Sequence, residues 1–213
     1  SADRQGSRNT VGIKNPGIFE LCGFDPGSFI GNPNLKAETS EGWEAGFDQF
    51  FAGGRAQVGA TYFDSKLKDE IFTDFPPPTF DATVLNRSTD STQRGIELYA
   101  QARVDSWHVD ASYTYVDSEE NGVEEIRRPP HIASLKVSWR APEDRAGVAL
   151  TVRYNGSTND NNFTLAVPGP YARLSSYTLV NLGADFRLTS SVQVYGRVEN
   201  LVDENYEQVF TYR

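Results

Sequence analysis

The residues of this chain best suited to proton transfer or nucleophilic attack are two histidines and one cysteine. His108 lies in a stretch of alternating polar and apolar residues, His131 follows the stretch RRPP, and nothing near Cys22 marks an activated thiol. A nucleophile needs a base within hydrogen-bond reach, and the sequence has no Gly-x-Ser-x-Gly, His-Glu-x-x-His or P-loop motif. We therefore expect His108 to be a solvated residue of the polar face and His131 to be structural, and we expect no enzymatic activity and no cofactor.

Two stretches carry the oxygen ligands that a hard cation such as calcium prefers. DSEENGVEE (117–125) is rich in carboxylates, and STNDNNF (157–163) is rich in amides and also carries one aspartate. The spacing of the acidic residues matches no defined calcium loop, so we expect solvated loops, with a calcium site left as an alternative.

The overall composition excludes several classes of protein. The 213 residues carry a net charge of −9, which argues against a nucleic-acid partner because phosphate binding needs clustered lysine and arginine. A single cysteine excludes an internal disulfide and a cysteine-based zinc cluster. There is no run of about 18 apolar residues, so a transmembrane helix is not expected. Aromatic residues make up 12% of the chain, a share that favours β structure.

The elements that must position these residues show a period of two almost everywhere. In RGIELYAQARV (94–104) the apolar residues fall on one face, and after Asp105-Ser106 the same alternation resumes in WHVDASYTYVD. Two alternating runs joined by two turn-forming residues predict a hairpin. About eight strands are predicted in this way, and residues 1–38 hold one weaker candidate, SRNTVGIK (7–14). The eight segments are 43–51, 55–63, 94–104, 107–117, 131–141, 147–155, 178–188 and 192–198.

The predicted connections alternate between tight and long. Since alternate connections of an antiparallel meander lie at opposite ends of the sheet, all the long loops gather at one end. This asymmetry is typical of outer-membrane barrels, which have short periplasmic turns and long extracellular loops. The tight connections are Gly53-Gly54, Asp105-Ser106, Pro142–Gly147 and Thr189–Ser191, and the long ones are about 73–90, 118–130 and 158–174.

Two β architectures can use such strands, a soluble sandwich and a membrane barrel. The predicted strands are about nine to eleven residues long, enough to cross a bilayer when tilted. Aromatic rings such as Trp43, Trp107 and Trp139 stand near strand ends on the apolar face, as in an aromatic girdle. We therefore predict an all-β, antiparallel up-and-down transmembrane β-barrel. A small self-contained barrel with a structural or adhesive role and a soluble carbohydrate-binding β-sandwich remain as alternatives.

Five segments, in order along nearly the whole chain, together resemble the TonB-dependent outer-membrane receptors. GNPNLKAETSEGWEAGF (31–47) is similar to the family's Asn-Pro-x-Leu-Lys-x-Glu segment, and NRSTDSTQRGIELYA (86–100) to its Arg-Gly-hydrophobic-Glu strand. ENLVDENYE (199–207) resembles its Asn-Leu-x-Asp-x-x-Tyr-Glu signature. The other two segments are GIKNPGIFEL (12–21) and RRPPHIASLKVSW (127–139).

The resemblance implies a monomeric receptor in the bacterial outer membrane, surrounded by lipid and built as a barrel of about 22 strands with a plugged lumen. Such receptors import a scarce ligand, typically a ferric siderophore, haem or cobalamin, and are energised by TonB acting on an N-terminal plug. We expect residues 1–213 to be the C-terminal section of that barrel, with the plug, the early strands and the closing strand absent.

Ligand contacts are expected from aromatic and cationic residues of the long extracellular loops, which can grip an anionic or planar small molecule or metal chelate. For Arg87 the alternative is a simple pairing with acidic residues. The candidates are Phe80, Arg87, Arg127, Phe163, Tyr171 and Arg173. No metal ligands are assigned.

Overall fold

The structure, a computed structural model, describes residues 4–162 and 172–211, and these are mostly β-strand. In this part of the chain no helix is long and apolar enough to cross a membrane. Helical turns are α1 (Ile18–Cys22) and the 3₁₀ turns Ala52–Gly54 and Pro142–Asp144. The strands are β1 (Arg4–Lys14), β2 (Phe24–Asp25), β3 (Phe29–Ile30), β4 (Glu38–Phe51), β5 (Ala56–Lys68), β6 (Ile71–Asp74), β7 (Ala82–Asn86), β8 (Ser91–Val104), β9 (Trp107–Glu120), β10 (Val123–Glu124), β11 (His131–Arg140), β12 (Ala146–Asn155), β13 (Thr158–Asp160), β14 (Ala172–Leu174), β15 (Tyr177–Arg187) and β16 (Gln193–Val198).

The long strands form one antiparallel up-and-down sheet in the order β1-β4-β5-β8-β9-β11-β12-β15-β16, with β10 added beside β9. This confirms the predicted all-β meander. The sheet is open between β1 and β16, as expected for a section of a larger barrel. All eight predicted strands are present.

The weak candidate SRNTVGIK is a complete strand, β1, and not a marginal one. Each of its residues from Arg4 to Lys14 faces a residue of β4 between Asp48 and Glu38. Few apolar side chains mark it, because only Val11 and Ile13 are large and hydrophobic. This strand is therefore stabilised by backbone hydrogen bonds to β4. The sequence pattern could not show this, because side-chain alternation does not report backbone pairing.

The apolar face of the sheet is left uncovered. Trp43, Phe47 and Trp107 are each about half exposed, at 47%, 50% and 53%. The buried hydrophobic side chains of the described residues are Val84, Leu174 and Tyr177, none of them in the middle of a long strand. A soluble sandwich would bury this face against a second sheet, so the structure does not fit that alternative.

The two ends of the sheet differ as predicted. Tight turns join β4 to β5, β8 to β9, β11 to β12 and β15 to β16 at one end. The opposite end, called the long-loop end below, carries the connections 15–37, 69–90, 121–130 and 156–176 and the segment 199–211 that follows β16.

The sequence predicted long loops here, but the long connections contain short paired strands. Strands β2, β3, β7 and β6 form a four-stranded sheet that joins the connection 15–37 to the connection 69–90 through a parallel pairing of β3 with β7. A hairpin of β13 and β14 extends the connection between β12 and β15. These strands are two to five residues long, too short for a period of two to mark them.

Candidate functional site: a polar cleft at the long-loop end

The predicted ligand residues are spread over the long-loop end. Phe80 is 64% exposed and lies between β6 and β7 with a positive φ of 57°. Arg173 lies on β14, exposed, and its Nη2 donates to the Ser157 hydroxyl at 2.7 Å. Phe163 and Tyr171 lie outside the described residues. The four described candidates are therefore not gathered into one site, and the two that remain, Arg87 and Arg127, lie in separate clusters.

Arg87 is the centre of the first cluster. Its Nη1 donates to both carboxylate oxygens of Glu120, each at 2.8 Å. Its Nε lies 3.2 Å from a Glu70 oxygen as an ion pair, although the geometry does not make a hydrogen bond. The guanidinium carbon lies 4.8 Å from the centroid of the Phe72 ring. Arg87 thus pairs with acidic residues, and its contact with a ligand stays a prediction.

A polar cleft of about 540 Å³ opens beside this cluster, between the connections 69–90 and 121–130. Four glutamates and two arginines line its walls, so the cleft has a formal excess of negative charge. Thr89 also donates to Glu120, at 2.7 Å. The polar residues lining the cleft include Glu70, Arg87, Thr89, Glu120, Glu124, Glu125, Arg128 and Asn161.

The cleft presents hydrogen-bond donors and acceptors within a few residues of each other. Guanidinium, hydroxyl and amide groups donate, and the glutamates accept. Such walls suit a ligand with many polar groups better than a purely apolar one. The sequence indicated part of this cleft through the acidic run 117–125, but nothing in it pointed to Glu70, Arg128 or Asn161 as neighbours.

Arg127 belongs to the second cluster, which is centred on a buried carboxylate. Its Nε donates to Asp160 Oδ1 at 2.7 Å, and the Asp160 side chain is 0% exposed. The backbone amides of Asn161 and Phe210 donate to Asp160 Oδ1 and Oδ2, each also at 2.7 Å. Burial opposes ionisation of Asp160, but these three donors outweigh it and hold its pKa below the usual value of 3.8.

The segment 199–211 packs against the ends of β12 and β15. The Leu201 amide donates to the Val180 carbonyl at 2.7 Å, and the Tyr206 ring stacks on Tyr177 with centroids 4.6 Å apart. The side-chain amide of Gln208 donates to the Tyr177 hydroxyl at 3.2 Å. This segment therefore continues the wall of the long-loop end.

No metal centre accompanies these clusters in the residues that the structure describes. Within them, no three histidine, cysteine, aspartate or glutamate side chains are grouped so as to hold an ion. His108 lies on the polar face of β9, where Nε2 lies 3.0 Å from Asp110, and His131 Nδ1 lies 2.8 Å from the Tyr113 hydroxyl.

An antiparallel meander with an uncovered apolar face, tight turns at one end and long connections at the other is typical of outer-membrane β-barrels. The family model for the TonB dependent receptor-like β-barrel matches residues 7–201. The chain belongs to this family, whose barrels lie in the bacterial outer membrane.

Three relatives illustrate the similarity. The vitamin B12 transporter BtuB of Photobacterium profundum is 30% identical in an alignment 211 residues long, and this alignment covers 95% of this chain and 32% of that protein. Two pyoverdine-bound structures of the pyoverdine outer membrane receptor FpvA of Pseudomonas aeruginosa have TM-scores of 0.74 and 0.76. The one with the score of 0.76 is 17% identical and covers 97% of this chain and 31% of its own. The ferric enterobactin receptor PfeA of the same organism is 20% identical, with a TM-score of 0.74, over 93% of this chain and 33% of its own.

The chain spans about a third of the length of each of these relatives. The three solved structures support the fold alone, since their sequence identity to this chain is only 17 to 20%. The family model is described as receptor-like, and the relative from Photobacterium profundum is named as a transporter.

Proposed function

We propose that the protein containing this chain imports a scarce ligand across the outer membrane and is energised through TonB. Membership of the receptor family carries this proposal. The ligand class is a ferric siderophore, haem or cobalamin, since the relatives include a vitamin B12 transporter and receptors named for pyoverdine and enterobactin. The polar cleft supports the proposal, because long-loop donors and acceptors suit a ligand with many polar groups.

The uncovered apolar face supports a lipid environment for the sheet. Each exposed ring on this face would cost free energy in water, and lipid removes that cost. The free edges of β1 and β16 would also be costly in hydrocarbon, since each unpaired backbone group costs several kcal/mol there. We therefore propose that further strands of the same polypeptide close the barrel, and that a plug domain links it to TonB.

The test is uptake by cells that express or lack the whole protein. Labelled cyanocobalamin, haemin and a panel of ferric siderophores are offered separately at limiting concentration. Uptake of one of them should disappear both when the gene is deleted and when TonB is absent, and the cloned gene should restore it only in cells that have TonB. Uptake that requires the gene but continues unchanged in cells without TonB would contradict the energised mechanism.

A size measurement separates this proposal from a small self-contained barrel. The native protein extracted from outer membranes is compared by gel mobility before and after boiling, and its intact mass is measured. A heat-modifiable species several times heavier than 23.6 kDa is expected. A species near 23.6 kDa would favour the small barrel instead.

A further inference from the structure

The Asp160 carboxylate joins three separate segments of the long-loop end. It receives Arg127 from the connection 121–130, Phe210 from the segment 199–211, and the amide of its own neighbour Asn161. All three donor–acceptor distances are 2.7 Å, and the carboxylate is completely buried. Charge-assisted hydrogen bonds of this kind are about twice as strong as neutral ones.

The backbone at Arg127 shows why this contact matters for the cleft. Arg127 has a φ of 57°, in the left-handed region that a long side chain seldom adopts. Its amide donates to the Asn159 carbonyl at 2.8 Å, so both its backbone and its side chain are attached to the β13 segment. The next residue, Arg128, forms an ion pair with Glu125 and lines the cleft.

The same carboxylate also reaches the cleft from the other side. Asn161 follows Asp160 directly, its amide is bound to Asp160 Oδ1, and it lines the cleft. Arg128 and Asn161, which belong to different connections, are therefore each one residue away from the Arg127–Asp160 pair. The pair therefore connects two walls of the cleft.

We propose that Asp160 is a positioning residue of the ligand site, which holds Arg128 and Asn161 on the walls of the polar cleft through its bonds to Arg127 and to the Asn161 amide. The use of the cleft in ligand capture rests on the proposed transport function. The effect of Asp160 on the cleft walls does not, so the two can fail separately.

The substitution Asp160→Asn tests the proposal with almost no change of volume. An amide cannot accept from all three donors, because one of its two ends is itself a donor. A buried donor left without a partner is costly, so the connections should open more often. The control is Asp117→Asn, which makes the same chemical change at another arginine–aspartate pair. Asp117 accepts from Arg94 at 2.8 and 3.0 Å but joins only β8 and β9.

The first measurement is hydrogen exchange of the full-length receptor in its membrane. In Asp160→Asn, exchange should rise about 10-fold in the connection 121–130 and in the segment 199–211, with no change in the connection 69–90. Asp117→Asn should leave all three unchanged. Unchanged exchange in Asp160→Asn would overturn the proposal.

The second measurement is uptake of whichever probe the wild type imports, among cyanocobalamin, haemin and ferric siderophores. In Asp160→Asn the probe concentration that gives half-maximal uptake should rise about 10-fold. The maximal rate per assembled receptor should stay the same, because the substitution displaces only the walls of the cleft. Faster exchange with unchanged half-saturation would overturn the role in ligand capture. If the wild type imports none of the probes, the transport function fails, and exchange alone decides whether Asp160 positions the walls.

A second variant covers the case in which Asp160→Asn is not assembled. Arg127→Lys keeps a positive charge near Asp160 and leaves the hydrogen bonds from the Asn161 and Phe210 amides to Asp160 in place. It loses the hydrogen bond that Arg127 Nε donates to Asp160. Its exchange in the connection 121–130 should rise above the wild-type level, and should stay below that of Asp160→Asn if that variant assembles. Wild-type exchange in Arg127→Lys, together with an unassembled Asp160→Asn, would reduce Asp160 to a folding role and overturn the proposal.

Discussion

Removing the Arg87 side chain tests whether this residue stabilises the loops or grips a ligand directly. In Arg87→Ala the carboxylates of Glu70 and Glu120 lose their common partner, and the ring of Phe72 loses the guanidinium above it. The Arg87 side chain is 34% exposed, so solvent screens its ion pairs. Each partly exposed pair contributes about 0.2–1 kcal/mol, and the contact with the ring contributes about 0.5–1 kcal/mol.

These contributions overlap, since one guanidinium makes all of them. A loss of about 1–2 kcal/mol in the local stability of the connection 69–90 is expected, which increases its open population by a factor of about 5–30. Hydrogen exchange of residues 69–90 measures that factor. Arg94→Ala is the control, because Arg94 also makes a two-bond contact with one carboxylate, Asp117, but lies within the sheet on β8.

The outcome that would refute this reasoning is specific. If Arg87→Ala weakens uptake of the imported probe while exchange of residues 69–90 stays at the wild-type level, Arg87 contacts the ligand directly. If the loop stabilisation is correct, Glu120→Gln should produce a similar increase in exchange, because it removes the other half of the strongest pair.

Three further predictions concern the sheet and the buried carboxylate. Leu150→Arg, on the exposed apolar face, should cost about 2–4 kcal/mol if that face meets lipid, and the heat-modifiable band of the receptor should weaken. Gly95→Ala should reduce assembly, because a Cβ there would lie 2.0 Å from the Tyr115 carbonyl oxygen, whereas Gly6→Ala, with open space around it, should assemble normally. Since the folded pKa of Asp160 lies below 3.8, the stability from this group is fully present above that pH and is lost as the pH falls through the folded value. Exchange of the segment 199–211, corrected for its intrinsic pH dependence, should therefore be protected at pH 5 and lose protection only below pH 3.8.

The sequence alone determined the meander and its two unlike ends. Alternation of side chains reports which face each residue takes, and this holds along every long strand in which one face is consistently apolar. Short turn-forming pairs such as Asp105-Ser106 then fix which strands are neighbours. The family motifs could also be found in the sequence, because they lie within contiguous segments such as GNPNLKAETSEGWEAGF.

Which connections meet at the long-loop end could be seen only in the folded chain. Arg127 and Asp160 are 33 residues apart, and Phe210 is 50 residues further along the chain, yet they meet at one carboxylate. The parallel pairing of β3 with β7 likewise joins two connections with no alternation to announce it. Such contacts depend on which strand ends lie close together in the sheet, because these ends determine which connections can meet. A periodic pattern records the face of a residue but not its distant partner, so only the structure shows that Arg127 meets Asp160. The role of the arginines as ligand contacts stays a prediction.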